Sequence, residues 1–262
     1  AHELFQRLQF KNMLSRFDVE TEGNVIEECF REVSDREEIQ RIFAEARQAD
    51  RAAAAFSKEP GNVPPLFAHP SGFGRISLAF GPERIYTIPC TMETDMEFLF
   101  SELSELAGTV PCFAVCGLKE YLSYLPGAQP ENSFDVILAA YLLNPLKSDY
   151  DYEDVAREQL GILIDEKLDD AARSCYEAYT AFAAAPILEK KLTEEGMDRL
   201  FRKIEMPLVF TLYEMERAGI KVEGEALKVY GDQLGARISE LEQEIYNMAG
   251  EEFNMNSPKQ LA

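Results

Sequence analysis

Between Arg75 and Ile88 the apolar residues follow a strand-like period, and beyond Gly117 they recur every three or four positions. This change of period constrains the fold more than any other feature of the chain. Arg75–Phe80 and Arg84–Ile88 are short β-type runs joined at Gly81-Pro-Glu, which is a hairpin signal. Met96 to Leu106 reads as a helix, and Val110 to Val115 as a buried strand. Helices then dominate, at about 117–124, 135–143, 151–160 and 166–185. A hairpin, a helix, a strand and a run of helices fit an α/β sheet layered by helices.

The flanks are helical by the same reading. Leu4, Phe5, Leu8, Met13, Leu14 and Phe17 place an amphipathic helix over 3–17. Ser34-Asp-Arg-Glu37 has capping-box form and opens a helix to about Phe56. The Pro- and Gly-rich stretch Pro60–Pro65 marks a boundary into the α/β part. Downstream, 187–217 reads as a long helix kinked at Gly196 and at Pro207, which lacks a backbone donor. Gly219 ends it as a C′ residue. Leu227, Tyr230, Leu234, Ile238, Leu241, Ile245 and Met248 then step by three and four, forming one apolar seam on a helix that Gly250 closes. After it, Ser257 can cap, Pro258 suits the first helical position and Gln260 completes a capping box. A helix starting at 258 has barely one turn before Ala262, so the chain reads as cut inside a larger protein.

Acidic residues outnumber basic ones 47 to 26, for a net charge of −21. That balance opposes direct binding to nucleic-acid phosphates, which needs clustered Lys and Arg. No run of eighteen apolar residues occurs, so no membrane span is expected. The N-terminus shows no secretory signal. The five cysteines form no even framework and lack zinc spacing. Cys112 and Cys116 share a strand face and read as small core hydrophobes. A reduced, cytoplasmic protein is the expectation.

Three segments carry a resemblance. Gly250–Leu261 (GEEFNMNSPKQL), Ile204–Val222 and Phe134–Pro145 resemble, in order, the thumb, the lead into the thumb and an exonuclease-domain helix of family A DNA polymerases, the bacterial DNA polymerase I type. The resemblance implies an α/β, ribonuclease H-like domain of the DnaQ-like 3′–5′ exonuclease kind, followed by a long-helix thumb segment. It divides the chain into a helical N-terminal junction (1–60), an exonuclease-like domain (61–190), and a connecting helix with the start of the thumb (191–262).

Such an exonuclease needs four carboxylates holding two divalent metals, which activate a water and stabilise the leaving 3′ oxygen. In the family the first two come as Asp-x-Glu on the first strand. The third follows an Asn-Leu-Lys-Tyr-type stretch, and the fourth ends a Tyr-x-x-x-Asp motif. This chain departs from that pattern. Leu66–Gly72, read as the first strand, contains no carboxylate; Ala68 and Pro70 fall at the ligand positions, and Pro70 would shorten the strand. Gly117-Leu-Lys-Glu-Tyr121 resembles the second motif with Tyr121 in place of Asp. Glu120 is one position off and rotated by about 100° on a helix. Arg173-Ser-Cys-Tyr-Glu177 keeps the third motif's spacing, with Glu177 in place of the Asp. Asp95 and Asp135 are the remaining rescue ligands, and both read better as helix N-caps. His69 has no identifiable partner for a triad. Gly72-Phe-Gly74 is not a phosphate loop. Tyr150–Asp154 reads as a solvated acidic loop.

The expectation is therefore a polymerase I fragment serving DNA replication and repair, with a vestigial proofreading domain in a structural role. No residue is assigned as catalytic, and no metal or cofactor to this part; Mg²⁺ belongs to the parent polymerase, a nucleotidyltransferase. DNA would be met through a polymerase domain beyond this chain, with Lys259 the one weak contact weighed against a solvated lysine. The palm and thumb would pack against this part intramolecularly. Two alternatives stay open: an active metal-dependent exonuclease with displaced ligands, and a stand-alone acidic interaction domain.

Overall fold

The computed structural model describes residues 25–58, 72–91, 93–147, 150–165 and 167–257. Helix 3–17, the Leu66–Gly72 stretch up to its last residue and Pro258 onward lie outside them. The described strands are β1 (Phe30–Glu32), β2 (Ala52–Lys58), β3 (Phe73–Gly81), β4 (Arg84–Pro89), β5 (Phe113–Val115) and β6 (Ser133–Asp135). They form one mixed sheet in the order β1-β4-β3-β2-β5-β6. The pairs β2–β3 and β3–β4 are antiparallel, while β2–β5, β5–β6 and β1–β4 are parallel. The sequence-expected hairpin is β3–β4, in register from Arg75 opposite Pro89 to Ala79 opposite Ile85, with a shift before Gly81 opposite Arg84.

The capping signal near Ser34 is real, with Asp35 as the cap: its carboxylate accepts from the Glu38 N–H. The helix it opens, α1 (Arg36–Ala46), stops well short of Phe56. Ala52–Lys58 is a strand instead, so residues 30–58 supply β1, α1 and β2 rather than a purely helical junction. Alanine prefers helix, but propensity is a weak prior that tertiary burial overrides. Ala52 to Ala55 are all fully buried at the centre of the sheet. Their missing bulk lets the long helix α5 (Asp170–Glu194) lie close: Ala55, Ala79 and Ile85 of the sheet pack with Cys175 and Ala178 of that helix. The Ser77 hydroxyl, on β3, donates to the Ser174 Oγ across the same contact at 2.8 Å.

The other helices cover the sheet. α2 (Met96–Thr109) is capped by Asp95, whose carboxylate accepts from Phe98 N–H, and buries Leu99, Leu103 and Leu106. α3 (Val136–Leu143) is capped by Asp135. α4 (Tyr152–Val155) is capped by Asp151 and runs into a turn of π geometry, Ala156–Leu160. The sequence reading broke the chain between 185 and 187. The structure instead carries α5 through Pro186 to Glu194 and ends it before Gly196, whose φ is +70°. Helix geometry resumes through a short turn and a second π-type turn, Phe201–Glu205, into α6 (Met206–Ala218). Pro207 follows directly on this π-type turn within unbroken helical backbone, so the irregularity expected at Pro207 falls in the turn just before it, where the proline's missing N–H leaves a carbonyl without its usual helical donor.

The chain divides into two compact units, up to Met215 and from Glu216. The first holds the sheet and its core, with Phe43, Ile76, Leu103, Phe113, Phe134 and Leu188 fully buried. The second is dominated by α7 (Gly224–Ala249), ended by Gly250 at φ +80°. The expected seam lies on α7, and Leu227, Tyr230, Leu234, Ile238, Leu241 and Met248 are exposed. Within this unit the ring of Phe253 meets Tyr246 edge-on at 5.8 Å.

Candidate functional site

The strand that leads into the antiparallel hairpin at the centre of the sheet is β2. The stretch holding Ala68, His69 and Pro70, expected as the first strand, lies outside the described residues; β2 is the described strand that feeds the hairpin. No residue of β2 is a carboxylate. Ala54 and Phe56 project to the same face of the strand. The Phe56 ring stacks on Tyr121, centroids 4.3 Å apart and planes 17° from parallel. Phe73, Tyr124 and Phe100 extend this cluster, with Phe73 4.8 Å from Tyr124 and Phe100 4.9 Å from Tyr124.

Tyr121 is delivered by the turn that follows β5. Gly117 takes φ +78° and opens a 3₁₀ turn over Leu118–Tyr124. Asp135 fixes that turn: its carboxylate accepts from Gly117 N–H and Leu118 N–H, and from Ile137 N–H and Leu138 N–H of α3. Burial pushes the Asp135 carboxyl up, against the pull of these four N–H groups. Asp135 is thus a structural cap that ties β5, β6 and α3 together. Asp95 is a cap as well; the Phe98 N–H and the Arg36 guanidinium hold its carboxyl below the usual range. Both carboxylates are engaged as helix caps.

Along the 3₁₀ turn Glu120 is exposed while Tyr121 is buried, so the two adjacent side chains leave in different directions. Glu177, on α5, is partly buried near them. Burial, with the Glu120 charge second, pushes its carboxyl up to about 7. Glu177 in turn raises the hydroxyls of Tyr121 and Tyr152, after the larger effect of burial on each. Burial also raises the Cys116 thiol, with Glu177, Asp135 and Asp151 adding to the effect. Arg173, one turn before Glu177, reaches instead toward Glu153 at 3.3 Å and the Leu168 carbonyl oxygen at 3.4 Å.

Of the residues marked in the sequence, Tyr121 and Glu177 are brought together. Ala68, Pro70 and Lys259 lie outside the described residues. The strand β2 was missed, because an alanine run carries no strand signal; a continuous apolar run feeding the loop before a hairpin is the one clue to a buried strand. Among the described residues no group of three or more His, Cys, Asp or Glu side chains could hold a metal ion. The donors present, Glu177 with Glu120 nearby, do not fit two divalent cations, which require several oxygen ligands against a strongly held hydration shell. Chemically the arrangement is a packed aromatic cluster of Phe56, Phe73, Phe100, Tyr121 and Tyr124, with Glu177 near Tyr121.

No family model matches the chain. DNA polymerase I of Bacillus subtilis (strain 168) is 38% identical over 164 residues, covering 56% of this chain and 18% of that protein. The chain thus spans under a fifth of the length of that relative. The POL domain of Pol1 from M. smegmatis, solved in complex with DNA primer-template and dNTP, superposes with a TM-score of 0.69 at 22% identity, over 88% of this chain and 39% of that one. Brucella melitensis NrnC, solved bound to pGG, superposes with a TM-score of 0.52 at 14% identity, over 72% of this chain and 93% of that one. No helix among the described residues is long and apolar enough to cross a membrane. By sequence the chain is homologous to bacterial DNA polymerase I over about half its length, and by structure it carries the ribonuclease H-like fold of DnaQ-type 3′–5′ exonucleases.

Proposed function

We propose that the chain is the part of a polymerase I type enzyme that contains a vestigial, catalytically silent proofreading domain, joined near residue 191 to a connecting helix and the start of the thumb. The observation that carries this reading is the Phe56–Tyr121 stack. On this reading β2 takes the place of the first strand, and two rings stand where an active exonuclease would bring carboxylates to metal. Among the described residues, with no carboxylate on β2 and Tyr in the second motif, Glu177 is the carboxylate left in position, which removes most of the charge that would hold Mg²⁺.

The role is then scaffolding. The domain supports the polymerase portion of the longer protein, packing against its palm and thumb. That portion carries out Mg²⁺-dependent nucleotidyl transfer and meets the DNA in replication and repair, in the cytoplasm. The acidic balance of this chain accords with a part that does not itself grip phosphates.

The test is nuclease activity of the purified chain on a 3′-labelled single-stranded oligonucleotide with Mg²⁺, Mn²⁺ or EDTA, beside a Glu177→Ala variant. No metal-dependent shortening is expected. Shortening abolished both by EDTA and by Glu177→Ala would sink the reading and establish an exonuclease with rearranged ligands.

A further inference from the structure

We draw no further inference here: the strongest candidate, the exposed apolar seam of α7 from Leu227 to Met248, carries nothing because nothing in the structure shows what covers it.

Discussion

Replacing Glu177 by Gln is expected to stabilise the protein above neutral pH and to leave it unchanged in acid. Burial and the Glu120 charge move the carboxyl from an ordinary 4.5 to about 7 in the folded state. The folded chain therefore holds this proton more tightly than the unfolded chain. Below pH 4.5 both states are protonated and the group costs nothing. Between 4.5 and 7 the unfolded state ionises first, so stability falls as pH rises; above 7 the whole penalty is present. The full shift corresponds to about 3 kcal/mol. Glu177 keeps some contact with solvent, so roughly 1–2 kcal/mol is the expected gain for the neutral isostere at pH 8. For a protein of this size that raises Tm by roughly 2–8 °C. The assay is thermal or urea unfolding of wild type and Glu177→Gln at pH 5, 6, 7 and 8. The difference must open between pH 5 and 7 and then level off. A constant offset at every pH, or a variant less stable at pH 8, would refute the reasoning. Repeating the pH 8 melts with Mg²⁺ tests the metal-ligand alternative. If Glu177 were a working metal ligand, Mg²⁺ would stabilise wild type and not the variant.

The aromatic cluster gives a second expectation. Phe56→Ala should cost about 3–5 kcal/mol, as for other buried rings, and a cycle with Tyr121→Phe and Tyr121→Ala, read by urea unfolding, should assign about 0.5–1.5 kcal/mol to the stack itself, nearly all of it kept by Phe. Asp135→Ala should cost roughly 2–4 kcal/mol, because four backbone N–H groups lose their acceptor. Asp135→Asn should cost less, and hydrogen exchange should show the loss first at Gly117 and Leu118. Ala55→Leu should cost about 1–3 kcal/mol in a melt, since the added side chain meets α5 at a fully packed contact; an unchanged Tm would mean that α5 does not press on the sheet at this point.

Much of the fold was legible because it rests on local signals. The β3–β4 hairpin, α2, β5 and the α7 seam each carry their own period, and Asp35, Asp95 and Asp135 each cap a helix with a short-range hydrogen bond. The central strand was not legible. Ala52–Ala55 follows a helix signal and has the composition of a helix, and only the pairing with β3 and β5 makes it a strand. The continuation of α5 through Pro186 was hidden for a related reason. Proline ends a helix that must stand alone, but α5 is packed on the sheet along its buried face, from Ser174 through Leu188 to Leu192. Long-range packing decided both cases, and a single sequence does not record it.

On the proposed reading the first strand is 52–58, which matters for the site because this stretch lacks carboxylates and also carries a ring of the cluster. A first strand at 52–58 puts Phe56 against Tyr121, so the place is occupied as well as unligated. Clustered carboxylates repel one another and rely on cations to hold strand and turn together. Stacked rings hold the same two elements by dispersion and burial, without metal and without dependence on pH. Once that exchange is made, a carboxylate left at the edge of the cluster gains nothing from its position. Glu177 shows this: its carboxyl is pushed up first by burial and then by a like charge, and the nearby Arg173 is turned to Glu153 and the Leu168 carbonyl. A carboxylate introduced at Phe56 would therefore bury a charge within the ring cluster before it built a metal site. On the proposed reading, exonuclease chemistry would require Ala54, Phe56 and Tyr121 to change together, and each single step toward it would lower stability.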